Sequence, residues 1–360
     1  MQLNDLLNHT SEWLKGSGPN SDIIISSRIR LARNLDKFPF PHWANKKQGE
    51  ETLDSINEGE ETLNSIKDGI AKSEFLKRTI FFKLDEMDSV DKQFLVERHL
   101  MSLDHAQNTE NKAVAIDDEE IVSIMINEED HIRMQVMQSG FNLFEAWNII
   151  KRIDDSLAKD LNFAFLPDWG YLTACPTNAG TGMRGSVMLH LPALVMTRSI
   201  DRVLSAISKL SFTTRGLYGE GTQAMGNFFQ ISNQVSLGPS EDEIIESING
   251  LIRQIIEQEN QAREGLLSKN KPLLEDRINR SLGILKNARI ISSQETIELL
   301  SMVRLGSDLE MIKDIDRRTI NELFIITQPA HLQKIENKKL SPEERDVKRA
   351  QLIRSKLNIL

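Results

Sequence analysis

Residues Asn127 to Arg133 read NEEDHIR, so Glu128, Glu129, Asp130, His131 and Arg133 put five ionisable groups into one short stretch. They follow EEIVSIMI, which is apolar and β-branched enough to be a buried strand. If that strand continues, side chains alternate between faces. Asn127, Glu129, His131 and Arg133 then share one face, with Glu128, Asp130 and Ile132 on the other. A carboxylate and an arginine on one surface can hold a cationic group beside an anionic one. The plainer alternative is a solvated strand end with an internal ion pair.

Three further segments carry the same chemistry. In SSRIR, Arg28 and Arg30 lie two apart on a strand and point the same way. In CPTNAGTGMRGSVMLH, a flexible loop with glycines at 180, 182 and 185 delivers Arg184 to the start of an apolar strand. In TTRGLYGEGTQAMGN, Arg215 and Glu220 flank a glycine-rich, mobile loop. Arginine offers phosphate oxygens a fixed planar fork. Its recurrence beside strands, glycines and glutamates matters more because the protein is acidic, with a formal charge of −9.

Several familiar chemistries are excluded. GTGMRG satisfies GxGxxG but runs into the strand-like SVMLHL instead of opening a helix, which argues against a dinucleotide site. There is no GxxxxGK[ST] and no HRD or DFG set. The seven histidines show no zinc-binding spacing, so no protein-held metal is expected. Cys175 is a lone cysteine ahead of the glycine–arginine loop. It is either a buried inert thiol or part of a site.

These residues need a scaffold. At 360 residues the length favours about two domains. A short helix over about Asp5 to Lys15, the breaker GSGPNSD and the strand-like IIISSRIRLARN open the chain. Residues 49–68 hold a tandem repeat, GEETLDSINE then GEETLNSIKD, expected to be an acidic surface insertion. Between Phe75 and Gln234, strands (AVAID, EIVSIMI, GYLTAC) mix with amphipathic helices (NLFEAWNIIKRIDDSLAKDL, SIDRVLSAISKLSF). The strands lie too close together for βαβ crossovers, so an antiparallel α+β sheet flanked by helices is expected. After SLGPSEDE the pattern is helical only, with Ile244, Ile245, Ile248, Leu251, Ile252 and Ile255 on one stripe. Ser292 with Glu295, and Ser341 with Glu344 behind Pro342, fit capping boxes. The expected organisation is an N-terminal segment 1–20, a catalytic domain 21–262 and an all-helical domain 263–360.

The 39% apolar, 27% charged composition has no run long enough to span a membrane. MQLNDLLNHTSEWLKG lacks the features of a signal peptide, and the single cysteine fits a reducing cytosol, so a cytoplasmic protein is expected. The negative charge argues against nucleic-acid binding.

Taken in order, SSRIRLARN, NEEDHIR, CPTNAGTGMRGSV and RGLYGEGT…ISN resemble the guanidino (phosphagen) kinases, the family of creatine and arginine kinases, and within it the bacterial protein-arginine kinases. The resemblance runs from about residue 11 to the C-terminus. It implies an antiparallel sheet wrapped by helices, with ATP as phosphoryl donor and Mg²⁺ carried by the nucleotide. It assigns the ATP phosphates to Arg28, Arg30, Arg133, Arg184 and Arg215, and places His99 of VERHL by the nucleotide. Further ATP contacts are implied at Ser26, Ser27, Ile29, Gly185, Ser186, Val187, Met188, Gly216, Leu217, Tyr218, Gly219 and Glu220. Glu129 and Glu220 match the two carboxylates that hold the guanidinium, and Cys175 the active-site cysteine.

ERDVKRA contains an RDxxRA signature (Arg345, Asp346, Arg349, Ala350) that the resemblance links to phosphoarginine sensing; unaided, it reads as a surface helix with an Arg345/Arg349 pair. Two features depart from the family pattern: Gly185 stands where alanine is usual, expected to loosen the loop behind Arg184, and the duplication at 49–68 has no counterpart.

Creatine and arginine kinases carry a helical domain ahead of the catalytic one, whereas here about twenty residues precede SSRIR. An open site acting on arginines exposed on protein substrates is therefore expected. The alternatives are a kinase for free arginine or another small guanidine, and a non-catalytic phosphoarginine-binding adaptor. The resemblance further implies a zinc-containing activator, a stress-response repressor and a Clp ATPase as partners. The apolar stripes, including Leu299, Leu300, Met302 and Val303, suggest a homodimer.

Overall fold

The computed structural model describes residues 3–41, 53–216 and 225–357. Its first strand, β1 (Ile24–Arg33), is followed by helix α1 (Leu53–Lys72), β2 (Thr79–Lys83), α2 (Ser89–Glu97), β3 (Ala113–Asp117), β4 (Val122–Ile126), β5 (Ile132–Ser139) and α3 (Leu143–Leu157). A small hairpin, β6 (Phe165–Leu166) and β7 (Gly170–Tyr171), precedes β8 (Met183–His190), α4 (Pro192–Met196), α5 (Ile200–Lys209), β9 (Phe212–Arg215) and β10 (Phe228–Asn233). Helices follow: α6 (Glu241–Asn287), α7 (Ser293–Asp308), α8 (Arg317–Ile326), α9 (Pro329–Ile335) and α10 (Pro342–Leu357). Eight strands form one antiparallel sheet in the order β2-β3-β4-β5-β1-β8-β10-β9, as the close strand spacing predicts.

One face of the sheet is mainly apolar. Ile29, Leu31, Ile124, Met134, Val136, Val187 and Ile231 pack there against α1, α3, α5 and the first half of α6. Among the described residues, the other face is covered only at its two ends. Val114, Ile116 and Met125 pack under Phe94 and Leu95 of α2. Met137, Met188 and Phe228 pack under Trp13 and the C-terminal helices. The middle of that face is left for polar side chains.

Helix α6 joins the two halves of the molecule. Ile244, Ile248, Ile252 and Ile255 belong to the sheet core, whereas Leu274, Ile278 and Leu285 belong to the C-terminal core. The expected boundary at 262/263 thus falls inside a helix. Pro272 lacks an N–H and crowds the preceding turn, and Asn270 takes a non-helical φ of −140° there. The isoleucine stripe is consumed by the sheet and leaves nothing of itself for self-association. Arg304, fully buried in α7, ties the helical domain to the sheet: it donates to Ser21 O at 2.6 Å and to His190 Nδ1, at the end of β8, at 3.0 Å.

Three expectations change. The described part of the duplication is helical, and its second copy is not a surface insertion: Leu63 and Ile66, with Ile70 just beyond the copy, are buried in the sheet core. Each buried Leu or Ile contributes roughly 1.5–3 kcal/mol, which outweighs the penalty of about 1 kcal/mol for a glycine such as Gly69 inside a helix. Residues 49–52 lie outside the described residues. The N-terminal helix is two short 3₁₀ turns, Leu3–Asn8 and Glu12–Leu14. Of GYLTAC only Gly170–Tyr171 is strand.

Candidate active site

Strand register brings the arginines together. Arg30 of β1 lies opposite Arg184 of β8 on one side and Gln135 of β5 on the other. Arg28 lies opposite Ser186 and Met137, and Arg133 opposite Ala32 and Met125. Arg215, at the end of β9, faces Gln230, which pairs with Met188. Arg28, Arg30, Arg133, Arg184 and Arg215 therefore share the middle of one sheet face.

Their side chains are held from below. Arg184 Nη2 donates to Thr213 Oγ1 at 2.9 Å and its Nε to Ser232 Oγ at 3.2 Å. Arg28 Nε reaches Ser186 Oγ at 3.4 Å. Arg30 Nε is buried with no hydrogen-bond partner among the described residues. Burial, then Arg133, Arg184 and Arg215, lower the Arg28 pKa to about 9. Burial and then the four neighbouring arginines push Arg30 well below its ordinary value. Arg133 is paired with Glu128, but four further guanidinium groups crowded beside it on a half-buried surface form an arrangement that an anion relieves. An orphaned guanidinium N–H among them fits a polyphosphate such as that of ATP.

His99 sits beside this cluster in a left-handed conformation (φ 59°), its ring edge-on to Trp13 at 5.3 Å. Its carbonyl accepts from Gln135 Nε2 at 2.6 Å. Burial and the Arg28 charge lower its pKa to about 4, so the imidazole is neutral at pH 7.

NEEDHIR is a hairpin turn between β4 and β5, not a continuing strand. Asn127 adopts φ 58° and its N–H bonds His131 O at 2.9 Å, which closes the turn. Glu128, not Glu129, is the partner of Arg133, accepting from its Nη1 at 2.7 Å. Burial alone would raise the Glu128 pKa, but Arg133 and the Ser102 hydroxyl hold it at about 2. Asp130 Oδ1 accepts from Asn34 Nδ2 and from Ala174 N, each at 2.6 Å, and so fixes the segment that leads to Cys175. His131 Nδ1 accepts from Leu35 N at 3.0 Å while Nε2 donates to Pro39 O at 3.1 Å. Asn127 Nδ2 donates to Asn111 O at 2.8 Å. Each polar side chain of the turn thus has a structural task except Glu129. Glu129 is exposed at the tip, and no described residue hydrogen-bonds its carboxylate. Partial burial, then Asp130, raise its pKa.

Cys175 is half-buried, with Sγ 3.0 Å from Thr177 Oγ1, one residue beyond the Ala174 anchor. Ser26, Ser186 and Met188 share the arginine face. Ser27, Ile29 and Val187 point to the opposite, core-facing side, where Ser27 Oγ donates to Gly140 O at 2.8 Å; they can meet a nucleotide only through backbone. Gly185 is not in a loop. It lies inside β8, its N–H on Asn233 Oδ1 at 2.8 Å, and a Cβ there would sit 2.6 Å from Ile248 Cδ1. The core has filled the space of the missing methyl, so nothing behind Arg184 is loosened. Gly216 directly follows β9, whereas Leu217, Tyr218, Gly219 and Glu220 lie outside the described residues.

Arg345 and Arg349 do not form one open pair. Arg349 is buried, with Nε on Thr327 O at 2.8 Å and Nη1 on Ile291 O at 2.9 Å and on Asp346. Ala350 is buried beside it. Arg345 instead lines a hollow of about 720 Å³ with Glu97, Gln328, Gln333 and Lys339.

Comparison with known proteins agrees with this geometry. The family model for the C-terminal catalytic domain of ATP:guanido phosphotransferases matches residues 61–262, and that for the C-terminal domain of the protein-arginine kinase McsB matches residues 271–360. The protein-arginine kinase of Halothermothrix orenii is 48% identical over 360 residues, all of both chains. This chain belongs to the protein-arginine kinase family. The Brevibacillus brevis protein-arginine kinase is 48% identical across 98% of this kinase and 97% of its own length. Among solved structures, the kinase resembles the duplicated taurocyamine kinase of Schistosoma mansoni with bound transition-state-analogue components (TM-score 0.59, 26% identity). That match covers 68% of this kinase and 34% of the other chain, about a third of its length. Lombricine kinase shares the fold (TM-score 0.58, 24% identity, 73% and 76% covered).

Glu128 and Asp130 were placed on the wrong face from sequence, and Thr213 and Ser232 were not singled out. Thr213 and Ser232 could have been, since each lies two residues from another polar side chain of the arginine face.

Proposed function

We propose that this kinase transfers the γ-phosphoryl group of ATP to arginine side chains of proteins. The observation that carries this reading is the unpartnered Arg30 Nε among four other arginines, next to a turn whose one uncommitted carboxylate is Glu129. ATP, brought as its Mg²⁺ complex, supplies the phosphoryl group. Arg28, Arg30, Arg133, Arg184 and Arg215 hold its phosphates and offset the charge on the equatorial oxygens during transfer.

A guanidinium is a poor nucleophile because its lone pairs are delocalised and its pKa lies above about 12. Glu129, with Glu220 as second carboxylate, binds it and aligns one nitrogen with the γ-phosphorus. As the N–P bond forms, that nitrogen gives its proton to Glu129, the P–O bond to ADP breaks, and ADP leaves with the electron pair. Alignment of this kind contributes roughly 7–11 kcal/mol. Cys175 adjoins the acceptor position.

Arg345, with Asp346, Arg349 and Ala350, forms the phosphoarginine-responsive element; the hollow beside Arg345 supports this. A homodimer is supported by the exposed Leu273, Ile284 and Ile290 of the helical domain. Marking of a stress-response repressor and misfolded proteins for a Clp ATPase, a zinc-containing activator and a cytoplasmic location rest on the resemblance of motifs. No described helix is long and apolar enough to cross a membrane.

Incubation with Mg-ATP and either casein or free arginine tests the substrate. Acid-labile phosphate on casein is expected. Phosphate on free arginine alone would move the substrate class to small guanidines, and phosphate on neither would leave an adaptor.

A further inference from the structure

The β6–β7 hairpin carries an aromatic surface that the phosphoryl chemistry does not use. Phe165 and Trp169 are 53% and 57% exposed, and Leu237 from the loop after β10 is 43% exposed. With Tyr171 they line a hollow of about 440 Å³ that also contains Asp168 and Glu241. Large apolar side chains held at the surface beside a functional site mark an interaction surface more often than chance exposure does.

The hairpin is rigid at its base. Tyr171 lies under the Arg33 guanidinium, 3.5 Å from Cζ to ring centroid, and Arg33 is itself bonded to Asp154 at 2.7 Å. Phe165 stands edge-on to Tyr171 at 5.2 Å. Trp169 N bonds Leu166 O at 3.0 Å across the turn, and Gly170 supplies the left-handed φ of 68° that the turn requires. Side chains positioned in this way need little ordering on binding.

A buried hydrogen-bond chain also ties the hairpin to the acceptor position. Asn34 Nδ2 bridges Leu172 O at 3.1 Å to Asp130, the residue after Glu129. Trp169 is three residues from Leu172, so the two lie no more than about 10 Å apart along the chain. A peptide whose arginine reached Glu129 would cover that span in three to five residues.

We infer that this hollow docks an extended segment of the protein substrate by an apolar or aromatic residue three to five positions from the target arginine. The inference rests on the protein-arginine reading above. Charge selects the occupant. Asp168 and Glu241 flank the aromatic wall, and Glu129 lies beyond it, so the groove complements a basic, arginine-bearing peptide. Trp169 can also stack on a neighbouring cation. Such a chain is accessible in an unfolded protein, where apolar residues and arginines are exposed together.

Two synthetic peptides test this. One carries a single arginine with phenylalanine four residues to each side; the other has serine at both places. The wild-type kinase is expected to show a KM about tenfold lower for the phenylalanine peptide, the order expected for burying part of one aromatic side chain. In Phe165→Ser/Trp169→Ser, and to a lesser degree in Trp169→Ser alone, that difference should collapse while kcat and the KM for ATP stay unchanged. Equal KM values with the wild type, or a difference that survives in both variants, would overturn the docking surface and leave the protein-arginine reading standing. Phosphorylation of free arginine but of neither peptide would overturn that reading, and the docking surface with it. A change in light-scattering mass with no change in peptide KM would make the hairpin a contact between copies of the chain and also overturn it.

Discussion

Replacing Arg28 with methionine separates the stability cost of the arginine cluster from its use. Burial and then the charges of Arg133, Arg184 and Arg215 displace the Arg28 pKa from 12.5 to about 9. At 1.36 kcal/mol per unit, a displacement of this size is on the order of 4–5 kcal/mol against the charged form. Arg28 is partly exposed, so solvent screening reduces what folding feels to roughly 1–2 kcal/mol.

The sign is fixed by the direction of the shift. At pH 7 the guanidinium is charged in folded and unfolded chains alike, so the cost is fully present there. It would be relieved only as pH rises through about 9. Methionine keeps the stem and removes the charge, and the bond given up, to Ser186 at 3.4 Å, is long and weak. The nucleotide-free variant should therefore melt a few degrees higher than the wild type.

With nucleotide the order reverses. Loss of one charge-assisted hydrogen bond, about 1.5–3 kcal/mol, should weaken ATP binding roughly 10–150-fold. Thermal unfolding with and without Mg-ATP, together with calorimetric titration, reads both effects. At about 1 M salt the gap between the apo proteins should narrow, because the repulsion is screened. An apo variant no more stable than the wild type, or one that binds ATP equally well, would refute a cation cluster held for phosphate.

Other expectations follow from particular contacts. Because the Glu129 pKa is raised in the free enzyme and the carboxylate must be ionised to take a proton, the acid limb of the kcat/KM–pH profile should lie above 4.5; a limb at or below that value contradicts its role as base. His131 is held neutral with a pKa of about 4 against 6.5 when unfolded. Its contribution, up to about 3 kcal/mol, is intact above pH 6.5 and lost as pH falls toward 4, and an acid-unfolding curve of His131→Gln should be flatter across that window. Gly185→Ala should destabilise by about 1–3 kcal/mol by driving a methyl against Ile248 Cδ1, and Ile248→Val, which removes that atom, should restore the loss in denaturant titrations. Arg349→Ala should lower the melting temperature by leaving the Thr327 and Ile291 carbonyls without their donor, whereas Arg345→Ala should leave it unchanged.

Much of the site was legible because strands obey a two-residue period. Arg28 and Arg30 could be placed on one face from spacing alone, and the sheet then brought Arg184 and Arg133 to the same face. The ion pair of Arg133 was not legible. Alternation gave it Glu129, but a left-handed Asn127 turns the chain and presents Glu128 instead. Asn127 and Asp130 are turn-forming residues, but with no glycine or proline beside them the signal is weak within a run of charged residues. The duplicated segment misled for a related reason. Its acidic residues dominate the composition, while spaced apolar positions, Leu63 and Ile66 with Ile70 just beyond, decide the packing. Burial of Arg349 was likewise hidden, since a basic helix reads as solvated until its neighbours supply carbonyls to bond it.

The most direct measurement for the site as a whole is the rate of phosphate transfer to protein arginine by Glu129→Gln, with ATP binding measured on the same preparation. The substitution keeps the shape of a side chain that no described residue bonds, so fold and nucleotide affinity should be unchanged. It removes the proton acceptor and the charge opposite the guanidinium, and base catalysis is typically worth about 10²–10⁴-fold. Transfer should fall by at least about a hundredfold at wild-type ATP affinity. A variant that keeps more than about a tenth of the wild-type rate would contradict the account.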